Sequence, residues 1–528
     1  MISRRRLLAG MASLTAAPLA AAPDALTIRI DDLAAGVPIS PFIYGSNETG
    51  NMDGNGQSVD YDLKARPSIR RIGGNLLTGY NWLNNAAHAG KDYQHANGAF
   101  LLDALALPRG DWDKPAAVIE KFLANSRIVG APSLVTLPLA GYVAADLDGP
   151  VSEKEAAPSP RFLAVDWSSP DKALKGAVNM PSLVARLVSR HGGAASGGVR
   201  GYYLDNEPGL WTNTHPRIVT QPPTIRSLIE RSLQAAAAIK SIAPDAWVLG
   251  PTSWGAPEFV DFQKAPDWPE FSAQGSFLGA YLDAFRQESE RVGKRLLDHL
   301  DIHWYAFNKR GDLFRTENPD LAQALLDAPR SLDEPGFCEE SWVLDVLGCK
   351  KREGLYLPLL PALRETIAAK YPGTGLSIGE YNYGGAGLFQ TSLAMADALG
   401  RFGRSGVDVA THWGSLAGSI GEAFRLYRMT NFANESFGGA SLPVSGGRGY
   451  ALSLFAARSA RGALHLIALN KSAHEIRFDL TATSGRKFSV LDAMGFDELR
   501  PACAFLGDAP SGRFVLPPLS ARRYTLAA

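Results

Sequence analysis

The chain lacks an excess of charge of either sign. Its 53 lysines and arginines are balanced by 53 acidic residues over 528 positions, so the formal net charge is zero. This balance argues against nucleic acid or an anionic membrane as the main partner, because both attract strongly basic proteins. After the N-terminal segment, no apolar run approaches the ~20 residues that a membrane-spanning helix needs. We therefore expect no membrane attachment of the mature protein.

Cysteine is also scarce, with only three residues in the whole chain. In an oxidising compartment Cys338 and Cys349 could pair, which would leave Cys503 as a free thiol. Alternatively, all three are small buried hydrophobic residues. The sequence leaves both interpretations open.

The first residues resemble an export signal. The segment Ser3–Leu8 (SRRRLL) is similar to a twin-arginine motif, and an apolar stretch with small residues at Ala20–Ala22 follows it. We expect residues 1–22 to be a signal peptide, and the mature protein to be periplasmic or secreted and monomeric. Cleavage after Ala22 stays open, because Pro23 is a poor residue to follow a cut.

Short apolar runs alternate with helical patterns along most of the chain, which favours a (β/α)8 barrel. A doubly wound open sheet is the main alternative. It is weakened because no strand is followed by GxGxxG or by a phosphate-binding loop. The eight predicted strands span residues 42–47, 68–75, 133–139, 200–206, 246–252, 300–306, 375–381 and 407–413.

The pattern changes after about residue 435, where short strands and polar turns continue without helices. This composition is typical of a β-sandwich. We therefore predict an α/β fold with a catalytic barrel over residues 41–434 and an all-β sandwich over 435–528. Residues 23–40 contain LTIRIDD, which is expected to add a strand to the same sandwich.

Acidic residues end two of the predicted strands, at the end of a barrel where active sites lie. The fourth strand runs into Asp205, Asn206 and Glu207, and the seventh ends at Glu380. Paired carboxylates on separate strands are the machinery of glycoside hydrolysis. The alternative is that each glutamate pairs with a nearby arginine at the barrel rim.

Three segments carry a resemblance to a known family. They read RRIGGNLLTGYNWLNNAAHAGKDY, YYLDNEPGLWTNTHP and SIGEYNYGG, and EESWVLDVLG and ADALGRFGRSGVDVATHW support them. They resemble glycoside hydrolase family 44, the endo-β-1,4-glucanases and xyloglucanases. The resemblance implies a barrel with a sandwich, a β-glucan polysaccharide as substrate, and retention of anomeric configuration. By matching motif, Glu207 would be the general acid/base and Glu380 the nucleophile.

The neighbours of these glutamates suggest roles in binding. A hydroxyl donor such as Tyr305 would hold Glu380 ionised, since a hydrogen bond favours the charged form. Asn206 is expected to bind the sugar 2-hydroxyl, and Trp413 to form the floor of the site. No cofactor is expected to be required, and HExxH is absent. The resemblance leaves a structural calcium open, without a location, and the metal question undecided.

Further candidates are less well defined. Trp82, Trp211 and Trp304 are candidate sugar platforms, although a core position is the default for any tryptophan. His303 either lines the site or is a hydrogen-bonded histidine of the barrel interior. Arg71 ends the second strand, and we favour it as a charge partner of Glu380.

Two departures from the family pattern put the substrate preference in doubt. Leu76 stands where an arginine is expected, and Gly209 follows the NEP motif where a larger residue is common. A retaining hydrolase of xylan or mannan is therefore an alternative. So is a polysaccharide-binding protein without catalysis, although both glutamates are present.

Overall fold

The predicted (β/α)8 barrel is confirmed by the computed structural model, which describes residues 26–48, 58–349, 351, 354–447, 449–506 and 513–527. Eight parallel strands close into one barrel, and each neighbours the next in chain order. The predicted signal peptide, residues 1–22, lies outside the described residues. The barrel strands, in chain order, are Gly45–Asn47, Arg70–Ile72, Ser133–Leu137, Gly201–Leu204, Trp247–Ser253, His299–Tyr305, Gly375–Asn382 and Val409–His412.

A long helix follows every barrel strand, and its apolar stripe covers the barrel. In the helix Ile225–Ile242 the buried positions recur at helical spacing, and the side chain of Thr224 caps the first turn by accepting a hydrogen bond from the backbone of Ser227. The eight helices are Ser58–Ala65, Ala117–Val129, Met180–His191, Ile225–Ile242, Phe277–Val292, Leu359–Lys370, Phe389–Arg404 and Gly418–Arg428.

Two sheets, whose strands pair mostly in antiparallel fashion, enclose a second, smaller core beside the barrel. The strand Leu26–Ile30 lies in the smaller sheet and pairs in parallel with Ile476–Ala482. The smaller sheet contains Val444–Ser445, Leu26–Ile30, Ile476–Ala482 and Phe514–Leu516 in spatial order. The larger contains Val37–Ile39, Gly439–Leu442, Leu452–Arg458, Leu464–Asn470, Ser520–Ala527, Ser489–Asp497 and Arg500–Phe505.

The last two barrel helices pack against one face of the larger sheet, so that face belongs to the same apolar core as the barrel. The other face belongs to the smaller core between the two sheets. The approach is close at Gly400, where a Cβ atom would lie 2.4 Å from the ring of Phe455. Beside this contact Asp397 is buried between Lys471, whose Nζ is 2.7 Å away, and Arg401, whose Nε is 3.0 Å away. We call this cluster the junction.

The loops above the barrel carry small sheets that the sequence patterns did not indicate. One joins Ala87–His88, Ala96–Gly98 and Gly149–Pro150, and another joins Tyr142–Ala144, Phe162–Asp166 and Val178–Asn179. Cys338 and Cys349 form a disulfide with a Cα–Cα distance of 5.5 Å, and Cys503 is a buried free thiol. Within the described parts of the chain, no helix is both long and apolar enough to span a bilayer.

Candidate active site

A cleft of about 910 Å³ lies at the carboxyl ends of the barrel strands, where barrel enzymes place their chemistry. It brings together five of the residues that the sequence analysis selected: Asn206, Glu207, Tyr305, Glu380 and Trp413. The remaining lining residues are Gly73, Gly74, Asn75, Leu76, Ala89, Asp92, Tyr93, Phe100, Asp103, Ala104 and Arg315.

Glu380 lies at the end of the seventh strand with a donor on each carboxylate oxygen. Arg71 donates to Oε1 at 2.8 Å, and the Tyr305 hydroxyl donates to Oε2 at 2.7 Å. Burial alone would raise the pKa of this carboxyl. The positive charges of His303 and Arg71 and the two hydrogen bonds outweigh burial and lower it below its ordinary value. Glu380 is therefore held as a carboxylate.

Glu207 lies on a turn with an unusual backbone. Its φ is 45°, and Asp205 and Thr252 next to it have φ of 64° and 63°, a region that non-glycine residues rarely adopt. Burial raises the pKa of Glu207 and outweighs the hydrogen bond and charge of His303, and the charge of Glu380 raises it further. Of the two carboxyl groups, Glu207 is therefore the one that keeps its proton to the higher pH.

His303 lies between the two glutamates. Its Nδ1 is 2.8 Å from Oε1 of Glu207 and 3.4 Å from Oε2 of Glu380. Burial would lower the pKa of this imidazole, but the charge of Glu380 and the hydrogen bond and charge of Glu207 raise it above its ordinary value. Nδ1 of this one imidazole thus lies close to both carboxyl groups.

The same three side chains are the only group of at least three His, Cys, Asp or Glu in the described residues whose ligand atoms could meet at one ion, within 4.8 Å of one another. A metal fits this trio poorly, because the guanidinium of Arg71 already binds Glu380 and would repel a cation beside it. The calcium that the family resemblance left open has no second cluster of such side chains in the described ranges.

The two glycines of the RRIGGN motif leave space for site residues. A Cβ at Gly73 would lie 2.3 Å from the guanidinium carbon of Arg71. A Cβ at Gly74, whose φ is 81°, would lie 2.4 Å from the ring of Trp413. Both side chains therefore depend on glycine for their positions.

Asp205 anchors the start of the Glu207 turn and does not reach the cleft. It is fully buried and accepts hydrogen bonds from the Thr78 hydroxyl at 2.5 Å, the amide of Ala140 at 2.9 Å, and the amide of Asn206 at 2.7 Å. The side-chain oxygen of Asn206 accepts from Arg71 at 3.0 Å. Arg71 therefore holds both Asn206 and Glu380.

The expected sugar platforms on Trp82 and Trp211 are wrong. Trp211 is 1% exposed and donates its indole N–H to the carbonyl of Asn206, and Trp82 is 8% exposed and donates to Asn179. Trp304 is also buried. Their rings are covered by protein, so no sugar can stack on them.

The positions of Arg71 and His303 do not support direct contact with a substrate. Both are fully buried below the cleft and are not among its lining residues. They contact the two glutamates instead of the cleft surface. The charge pairing of Arg71 with Glu380 is present, with a distance of 2.8 Å.

Sequence reasoning missed several residues of the cleft wall. Tyr93 and Phe100 lie edge to face, with ring centroids 5.5 Å apart, and Asp92 and Arg315 line the same cleft. Asp92, Tyr93 and Phe100 lie in the long segment after the second strand. The length of that segment was the sign in the sequence that it could contribute to the site. Leu76, noted as a departure from the family pattern, also lines the cleft.

Known proteins of one family resemble this chain. The family model of glycoside hydrolase family 44 matches residues 86–307. Endoglucanase A of Paenibacillus lautus is 37% identical over 532 residues, which cover 96% of this chain and 73% of that protein. The β-mannanase/endoglucanase A of Caldicellulosiruptor saccharolyticus is 34% identical over 509 residues, or 91% of this chain and 37% of that protein.

Solved structures agree with these relatives. A family 44 xyloglucanase of Paenibacillus polymyxa, in complex with xyloglucan, has a TM-score of 0.86 at 34% identity and covers 96% of this chain and 100% of its own. A family 44 endoglucanase of Clostridium thermocellum has a TM-score of 0.86 at 34% identity, covering 95% of this chain and 100% of its own. This chain therefore belongs to glycoside hydrolase family 44, the family of these endoglucanases and this xyloglucanase.

Proposed function

We propose that the protein hydrolyses the backbone of β-1,4-glucans, including xyloglucan, from within the chain and with net retention of configuration. One observation carries the proposal: Glu207 and Glu380 face each other with opposite pKa shifts. An oxygen of each lies within 4.8 Å of the other. This suits the carboxyl separation of about 5–5.5 Å in retaining enzymes better than the roughly 6.5–9.5 Å of inverting ones.

In the first step the carboxylate of Glu380 attacks the anomeric carbon of the sugar. The glycosidic C–O bond breaks, and Glu207 transfers its proton to the departing oxygen, which leaves as a hydroxyl group. A covalent glycosyl ester of Glu380 forms. Arg71 and Tyr305 support this step, because their hydrogen bonds keep Glu380 ionised and fix its orientation.

In the second step Glu207, now a carboxylate, accepts a proton from water. The water oxygen attacks the anomeric carbon, the ester bond breaks, and Glu380 leaves as a carboxylate. Two inversions give net retention. The imidazole of His303, within hydrogen-bonding distance of Glu207, stabilises the negative charge that Glu207 carries between the steps.

The cleft suits a neutral polysaccharide. Its volume of about 910 Å³ is at the upper end of the ~300–1,000 Å³ of pockets that hold drug-sized ligands, so more than one sugar ring fits. Trp413 forms an apolar wall next to Glu207 and Glu380, and Tyr93 and Phe100 add aromatic surface. The names of the relatives, endoglucanase and xyloglucanase, support a glucan backbone as the substrate.

Proton NMR during digestion of tamarind xyloglucan and of mixed-linkage β-glucan tests the proposal. We expect signals of the β-anomer to rise before mutarotation, and no signal from the Glu380→Gln variant. Early α-anomer would overturn the retaining mechanism. A folded enzyme that cleaves neither glucan but cleaves xylan or mannan would overturn the substrate. Binding without cleavage of any of these polymers would favour a non-catalytic protein.

A further inference from the structure

The turn that carries Glu207 is held from one side by the end of the fifth barrel strand and by the segment that follows it. The amide of Glu207 donates to the carbonyl of Thr252 at 3.0 Å. Two residues further, the carbonyl of Gly209 accepts a hydrogen bond from the side-chain amide of Gln263. The turn is thus fixed at two points, one on the fifth strand and one on the segment after it.

A third contact comes from Glu258, a fully buried glutamate that the mechanism does not use. Its carboxyl accepts hydrogen bonds from the Ser253 hydroxyl at 3.0 Å and from the Trp254 amide at 3.2 Å. A Cβ at Gly209 would lie 2.8 Å from Oε2 of Glu258 and 3.0 Å from its Cδ. The carboxyl therefore occupies the space that a side chain at position 209 would need.

Gln263 lies in a segment with an unusual backbone conformation. Phe262, Gln263 and Lys264 have φ of 54°, 55° and 60°, so three successive non-glycine residues are left-handed. Such conformations are disfavoured and concentrate where a precise placement is needed. The side-chain oxygen of Gln263 also accepts from the indole N–H of Trp254 at 3.1 Å, which fixes the direction of its amide.

We propose that Glu258 and Gln263 form a brace that positions Glu207 for proton transfer, with Gly209 as the residue that lets the brace close on the turn. This inference rests on the proposed role of Glu207 as the acid/base. Glutamate does not favour a φ of 45°, so the turn needs external support. A misplacement of about 1 Å at a reacting group can cost on the order of 100-fold in rate.

Neither brace residue touches a substrate, so both are positioning residues. Glu258 and Gln263 are not among the residues that line the cleft. Burial raises the pKa of Glu258 to about 8, and the charge of Glu207 contributes to this increase. The two carboxyl groups are therefore near enough to interact electrostatically.

The dependence of rate on the leaving group tests the brace. In a polysaccharide the leaving group is a sugar hydroxyl, which departs slowly unless an acid protonates it. 2,4-Dinitrophenyl β-cellobioside instead releases a stable phenolate, which needs no protonation by the enzyme. We would measure kcat/KM on both substrates for Gly209→Ala, for Gln263→Ala and for the double variant Gly209→Ala/Glu258→Ala. Gly255→Ala is the matched control, because an added Cβ there meets nothing within 4 Å.

We expect Gly209→Ala to lose about tenfold to a hundredfold in kcat/KM on xyloglucan and much less on the aryl glycoside. Gln263→Ala should show the same selective loss. The double variant should be about as slow as Gly209→Ala on xyloglucan, because it relieves the clash but also removes the support that Glu258 gives to the turn. Gly255→Ala should match the parent enzyme on both substrates.

Equal losses on both substrates in folded Gly209→Ala and Gln263→Ala would overturn the brace, since a merely structural defect does not depend on the leaving group. Glu207→Ala separates this failure from that of the proposed function. If Glu207→Ala itself loses equally on both substrates, the acid/base assignment fails. If only the brace variants do so, the assignment stands and the brace is wrong.

Discussion

The mouth of the barrel and the junction with the sandwich both bury carboxylates, but they pair them differently. At the junction, Asp397 has Arg401 and Lys471 within 3.0 Å. Burial would raise its pKa, yet these two cations hold it far below its ordinary value. At the mouth, Glu380 is held ionised in a similar way, whereas burial keeps the pKa of Glu207 raised.

The number of neighbouring cations distinguishes Asp397 at the junction from Glu207 at the mouth. An acid with two buried cations gains its stabilisation by staying ionised and has no proton to give. Glu207 instead faces a single imidazole, which it shares with Glu380, and burial leaves its pKa raised. Incomplete pairing costs stability, and a perturbed pKa that persists despite this cost is typical of functional sites.

Glu380→Gln should have the largest effect. Without a carboxylate nucleophile, the ester cannot form, and we expect kcat on xyloglucan to fall by at least about 10⁴-fold. Far-UV circular dichroism should show an unchanged fold, because glutamine keeps the size of the side chain. Activity within tenfold of the parent enzyme would remove Glu380 from the mechanism.

Asp397→Asn should reduce the free energy of unfolding and leave the activity of the folded enzyme nearly unchanged, in contrast to Glu380→Gln. Removing one partner of a buried ion pair costs about 3–5 kcal/mol, which denaturant titration would measure. The exposed pair of Arg226 and Glu270 provides the control, since Glu270→Gln should cost under about 1 kcal/mol.

The pH dependence of the same variant has a defined sign. The folded-state pKa of Asp397 is lowered, so its contribution is present above the unfolded value of about 3.9 and is lost as pH falls. Between pH 7 and pH 3 the parent protein should therefore lose more stability than Asp397→Asn does. Parallel acid denaturation curves would contradict the role given to the junction.

Arg71→Met should reduce kcat/KM by on the order of 100-fold, because Asn206 and Glu380 lose their shared donor. The guanidinium lowers the pKa of Glu380, so its loss raises that pKa. The acid limb of the pH–kcat/KM profile should move to higher pH. Arg71→Lys keeps the charge without the planar fork, so its acid limb should move less.

Tyr305→Phe should reduce kcat about tenfold, the value of one hydrogen bond to a charged group. It removes the 2.7 Å hydrogen bond to Glu380 and should also move the acid limb to higher pH, in the same direction as Arg71→Met. Tyr383→Phe is a matched control, because no described residue is a hydrogen-bond partner of its buried hydroxyl. A shift in both variants would point to a general packing effect.

Trp211→Phe should have the smallest effect on catalysis, although the residue lies beneath the mouth. It loses the indole hydrogen bond to Asn206 at 3.0 Å, which should cost about 1–3 kcal/mol of stability. Its KM for xyloglucan should stay unchanged, whereas Trp413→Ala should raise KM. A raised KM in the Trp211 variant alone would restore that residue as a sugar contact.

The sequence allowed the barrel to be predicted because eight short, largely apolar segments alternate with helical patterns. Each of the eight observed strands overlaps a predicted one, and Glu207 and Glu380 follow from the strand ends that they occupy. The small sheets of the loops were missed, because most of their strands have only two or three residues and so show no periodicity in the sequence.

The surroundings of the site were less predictable. Trp211 closely follows Glu207 in the sequence, as a sugar platform would, and only the fold reveals that protein covers its ring. The contact of Gly209 with Glu258 joins two separate loops, so neither residue signals the other in the sequence. Local patterns predict which residues end a strand, whereas tertiary packing decides what they contact.

The pairing of Leu26–Ile30 with Ile476–Ala482 bears on how the protein is made. A ribosome produces the first of these strands long before the second, so the smaller sheet stays incomplete until nearly the whole chain has been synthesised. Contacts of such large sequence separation slow folding and leave strand edges exposed in the meantime. The sandwich is therefore the part of this protein that we expect to depend most on assistance from chaperones during biosynthesis.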